Sequence, residues 1–119
     1  MFGARKRVRA GIALLDQQCP DWHWRLNLQS LDMQNTCNCV LGQLYGHFWT
    51  GVNKLNLSLR LNDDAQHGFN LRGTCEAFFG GWWRLQRAWR KEIDKKRQRD
   101  VAQLHWGSVR SNTNELVEV

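Results

Sequence analysis

Two cysteines one residue apart, Cys37 and Cys39, with Cys19, His23 and His47 also in the chain, are the residues whose types could do chemistry. Thiolates and imidazoles bind zinc, and a structural site pairs its ligands two to four residues apart at two places. Cys-x-Cys with one distant cysteine departs from that signature, so no metal is expected. A cysteine nucleophile would need a base such as His47 beside it, but any chain with four Cys and four His offers such pairs. Asp63 and Asp64 could bind a divalent ion. Adjacent carboxylates in a helix point in different directions, however, and they read better as an acidic first turn. There is no P-loop, dinucleotide fingerprint or nucleophile elbow. The chain is therefore read as a non-enzyme with no catalytic residue, no cofactor and small thiols packed in its core.

Charge carries more information. The 17 Lys and Arg outnumber the 11 Asp and Glu, for a formal net charge of +6. The excess is clustered, with Arg5, Lys6, Arg7 and Arg9 near the start and Arg84, Arg87, Arg90, Lys91, Lys95, Lys96, Arg97 and Arg99 later. In the second cluster Trp82, Leu85, Trp89 and Ile93 fall on one face of a helix, while Arg84, Arg87, Arg90, Lys91, Lys95 and Lys96 cover much of the rest. Such cations can neutralise phosphates and release counterions. The plainer reading of the same stripe is a solvated helix surface. Trp83 lies outside the apolar stripe, and Trp and Arg are enriched among binding hot spots. The expected partner-binding set is thus Trp83, Arg84, Arg87, Arg90, Lys91, Lys95 and Lys96. The expected partner is nucleic acid or a nucleic-acid-bound host protein complex.

The elements that must position these residues are mostly helical. With 119 residues, 42% of them hydrophobic and seven of them Trp, the chain can bury one core. Val8, Ile12 and Leu15 mark an amphipathic helix from Ala4 to Gln18, ended by Pro20. Residues 21–35 read as irregular, with a short strand or an extended stretch laid over the core as the options. A second helix is expected from a cap at Asn35 or Thr36 to about Asn53, with Val40, Leu44 and Phe48 in line and Gly42 and Gly46 allowing another helix close. Leu55, Leu57, Leu59 and Leu61 alternate with polar residues like an extended segment. Asn62 would cap a short turn that leaves through Gly68, and Leu71 to Gly81 reads as a loop. The last helix starts near Trp82, with Val101 and Leu104 as a possible continuation. The expectation is one mostly α domain over residues 1–106, of about three main helices with irregular or short extended connections, and a flexible tail over 107–119. No run approaches the ~20 apolar residues of a membrane span, and Ile12 to Leu15 is too short for a signal peptide. A cytoplasmic protein with reduced cysteines and no membrane partner is expected.

The stretch GIALLDQQCPDWHWRLNLQSLDMQNTCNCVLGQLYGHFWTGVNKLNL, then DDAQHGFN and WWRLQRAWRKEI, resembles a group of small uncharacterised proteins of actinobacteria and their phages. The similarity covers roughly residues 11–93, and CVLGQLYG, Cys39 to Gly46, is its most specific part. The resemblance implies a phage or prophage product acting in the bacterial host cell, and brings no activity or catalytic residue with it. It favours two roles common among small phage proteins: nucleic-acid binding, and inhibition of a host defence nuclease in the anti-CRISPR manner by protein–protein contact. A cysteine-dependent enzyme is the third and least favoured role.

Overall fold

A computed structural model of the chain describes residues 3–71 and 80–115, with side chains described as far as position 103. The chain is mostly helical, and no strand occurs among the described residues. In order the helices are α1 (Ala4–Gln18), α2 (Trp22–Arg25), α3 (Val40–Tyr45), α4 (Phe48–Lys54), α5 (Asp63–Gln66) and α6 (Gly81–Glu115). No helix among the described residues is long and apolar enough to cross a membrane.

α1 forms over the residues its periodicity predicts. Val8, Gly11 and Leu15 are buried along one side. Pro20 disfavours helical geometry at the residue before it, and Cys19 duly leaves the helix at φ −153°, ψ 75°. The stretch after it is more ordered than the sequence suggests. Trp22–Arg25 makes one helical turn, and Leu26, Leu31 and Met33 then lie buried over the core. Short polar side chains hold this coil by bonding backbone nearby. Asn27 Oδ1 accepts from Gln29 N, Asp32 Oδ1 from Gln34 N, and Asn35 Oδ1 from both Cys37 N and Asn38 N.

The second predicted helix is two helices. Gly46 takes φ +92°, a left-handed geometry that ends α3, and His47 Nδ1 accepts from Trp49 N to start α4. The cap of α3 is Cys39, whose Sγ accepts from Gly42 N at 3.3 Å. Gly42 makes room for the backbone of the preceding coil, not for another helix, since a Cβ there would stand 2.4 Å from Thr36 O. Gly51 instead lets α4 close on Leu41 of α3. Gln43 fastens the assembly, with Oε1 accepting from Asn27 N at 2.7 Å and Nε2 donating to Asn27 O and Asn38 O. The CVLGQLYG motif is thereby accounted for as a structural unit.

The alternating leucines do not form an extended segment. Asn56 and Asn62 both adopt φ 57° and fold the chain into successive turns, a geometry Asn tolerates better than other non-Gly residues. Leu55 is buried but Leu61 is 64% exposed. Asn62 precedes α5 without a side-chain capping bond, while Asp63 and Asp64 occupy its first turn and Gly68 leaves at φ +75° as expected. Most of the loop expected over Leu71 to Gly81, with Cys75, Phe78 and Phe79, lies outside the described residues. α6 continues past Gly107 to Glu115, so the expected tail begins within it.

α1 and α6 lie side by side and run in the same direction. Arg9 is near Glu92, Gly11 faces Trp89, and Asp16 reaches Lys96. Trp89 is fully buried at the crossing, edge-on to Trp22 at 6.0 Å, stacked on Phe69 at 5.5 Å, and donating from Nε1 to Gly68 O at 2.6 Å. Of the core expected from sequence, Val8, Leu15, Val40, Leu44, Phe48, Leu85 and Trp89 are buried, while Ile12 and Trp82 are partly buried against it. Gly11→Ala tests the crossing. Helix propensity alone would favour Ala by up to about 1 kcal/mol. The new Cβ, however, would stand 2.2 Å from His67 O and 3.1 Å from the Trp89 ring, so a net loss of roughly 1–3 kcal/mol is expected from overpacking. Denaturant unfolding checks it, and an unchanged or higher midpoint contradicts the packing described.

Candidate functional site

The helical period divides the first turns of α6. Leu85, Trp89, Glu92 and Ile93 turn into the protein, while Trp83, Arg84, Arg87 and Lys91 are exposed on the outer face. These four exposed residues line a pocket of about 360 Å³ together with Ala88 and Glu92 of α6 and Ala4 and Arg5 of α1. The pocket exists because α1 and α6 are parallel, so both basic clusters begin at the same end of the molecule.

Glu92 permits that arrangement. Its side chain is only 8% exposed, and Arg5, Arg9 and Lys95 approach its carboxylate at 3.9, 3.9 and 3.5 Å. One buried carboxylate offsets part of the repulsion between two cationic helices and leaves a net positive rim. The first turns add to it. Gly3 offers no capping side chain to α1, and neither helix has an acidic residue in its first turn, so the positive end of the α1 dipole is not neutralised locally. Trp83 is 65% exposed, with the Arg87 guanidinium 5.2 Å from its ring centroid, a geometry that favours cation–π attraction.

Of the seven residues expected at the site, Trp83, Arg84, Arg87 and Lys91 come together there. The other three hold the fold. Arg90 is half-buried and donates to Leu31 O at 3.5 Å, Lys95 pairs with Glu92, and Lys96 pairs with Asp16 at 3.2 Å. Arg5 was visible in the sequence as part of a basic cluster, but nothing in the sequence placed it beside α6. No family model, curated protein or solved structure matches the chain.

Of the described cysteines Cys39 alone packs in the core, so the expectation of buried thiols holds only there. Burial is the main cause that pushes the Cys39 thiol above its ordinary pKa, so at neutral pH it is protonated, and its sulfur caps α3. Cys37 is exposed and Cys19 half-buried, with Cys19 Sγ accepting from Arg25 Nη1 at 3.0 Å. Among the described residues no group of three or more His, Cys, Asp and Glu is placed to hold a metal ion.

Further along α6, a second polar cluster fastens α2. Arg97 donates from Nε and Nη2 to His23 O and from Nη2 to Leu26 O, satisfying carbonyls at the end of that helix. Buried His23 meets Asp100 through Nε2 at 2.5 Å, and Trp24 Nε1 donates to the same carboxylate oxygen at 3.2 Å. The hydrogen bond from His23, helped by that from Trp24, holds the Asp100 carboxyl below its ordinary pKa despite partial desolvation. A depressed folded-state pKa stabilises the fold above the ordinary aspartate value of about 3.9, and that stability is lost as pH falls through the folded value. Asp100→Asn should therefore flatten the acid limb of Tm against pH below about pH 4. Acid limbs of equal steepness in the two proteins would remove Asp100 from the set of groups that hold α2.

Proposed function

We propose that this chain is a non-enzymatic binding protein of phage or prophage type that engages nucleic acid, free or within a host complex, through the basic pocket between α1 and α6. The observation that carries the reading is the convergence of Arg5, Arg84, Arg87 and Lys91 on one concave surface with an exposed Trp83 in its wall. Phosphates in such a place meet several cations at once and release their counterions, which gives affinity that is largely independent of sequence and falls with salt. The exposed cations also steer a polyanion from a distance of about one Debye length, roughly 8 Å at physiological salt.

Arg84, Arg87 and Lys91 make no ion pair among the described residues, whereas Arg5, like Lys95, already reaches the Glu92 carboxylate. Arg90, Lys95 and Lys96 contribute to the field but hold carbonyls or carboxylates, so their replacement mixes stability with binding. Arg87 and Lys91 are exposed, and changes at such positions usually alter stability by less than about 0.5 kcal/mol. The double variant Arg87→Glu, Lys91→Glu should fold like the wild type by circular dichroism and thermal unfolding, yet lose at least tenfold in affinity for a labelled oligonucleotide at low salt. If the folded variant keeps wild-type affinity, the outer face of α6 is a solvated surface and this reading fails.

A further inference from the structure

We propose that the α1–α6 pocket takes single-stranded nucleic acid, with one base stacked on Trp83 and the adjoining phosphate held by Arg5, Arg84 and Lys91; this rests on the nucleic-acid reading above and names the form of the ligand.

Shape points to a single strand. A helix that reads a duplex enters the major groove as a convex rod, so its contacts lie on its outer surface. Here the cations come from two neighbouring helices and line a concavity of about 360 Å³. That is near the lower end of the roughly 300–1,000 Å³ usual for small-ligand sites. A concavity of that volume is on the scale of one nucleotide.

The indole supplies the second argument. Trp82 beside it is partly buried against the core, whereas Trp83 turns outward and is 65% exposed. Arg87 stands over its ring at 5.2 Å. An exposed aromatic beside cations is the arrangement by which single strands are bound without regard to sequence: bases stack on the ring while the groove follows the backbone. Polarity agrees with the same placement. The uncapped start of α1 opens where Ala4 lines the pocket, and the amides and dipole of a helix start favour a phosphate oxygen.

The test uses the full chain, a labelled oligothymidylate of about 12 nucleotides, within the usual ~4–16 per binding site, and a duplex of the same length, both read by fluorescence anisotropy. The expected result is that the strand binds more tightly than the duplex, that Trp83→Ala weakens the strand by about 5- to 150-fold, and that Trp83→Phe restores most of the loss. Thermal unfolding of both Trp83 variants should match the wild type because the ring is exposed. If Trp83→Ala binds the strand like the wild type, or the duplex binds as well as the strand, stacking is refuted. In that event a loss of binding in Arg84→Glu, Lys91→Glu would keep the basic pocket as a phosphate site. If that variant also binds normally, the stacking proposal and the nucleic-acid reading fall together.

Discussion

The burial of Trp89 is the constraint on which the rest of the molecule depends. One indole closes against Trp22 of α2, against Phe69 from the turn after α5, and against the backbone of α1 at Gly11. Its single N–H finds Gly68 O, so the burial leaves no polar atom of that ring unsatisfied. Distant segments are thus gathered around one side chain. The same contact draws α1 against α6 in parallel and sets which residues on their outer sides become neighbours.

Placing two cationic helices in parallel creates an electrostatic difficulty that the fold relieves in part. Glu92 sits between the helices with Arg5, Arg9 and Lys95 around it, and Asp16 and Asp100 take Lys96 and His23 further along. Carboxylates are concentrated towards the middle of α6 and beyond, whereas its first turns have none. Carboxylates thus offset part of the charge where α6 is anchored, whereas Arg84 and Arg87 in its first turns have no acidic neighbour on that stretch. Together with the basic start of α1, they give the pocket its sign, which Glu92 reduces in part.

Local features were legible in the sequence, and contacts across the chain were not. α1 could be read because three apolar residues and a proline define it within a few turns. The break at Gly46 was harder, since Val40, Leu44 and Phe48 keep helical spacing through it and one backbone angle decides the matter. The leucine alternation misled for a similar reason: Asn56 and Asn62 adopt left-handed geometry and override the period-two pattern. At the site, periodicity identified which cations share a helix face. It could not show that Arg90 would meet a carbonyl 59 positions away, or that Arg97, a residue with no assigned role, would hold one 74 positions away. Those partners are set by tertiary packing, as is the meeting of Arg5 with α6.

The central claim is that the parallel pairing of α1 and α6 builds one nucleotide-accepting pocket. The most direct measurement is a proton–nitrogen correlation spectrum of isotope-labelled protein titrated with oligothymidylate. The largest changes are expected at the amides of Arg5, Arg84, Arg87 and Lys91 and at the amide and indole of Trp83, with the buried Trp22 and Trp89 indoles nearly unmoved. Changes centred on the exposed Trp49, or on Trp24 and Arg97, with the α1–α6 pocket silent, would contradict it.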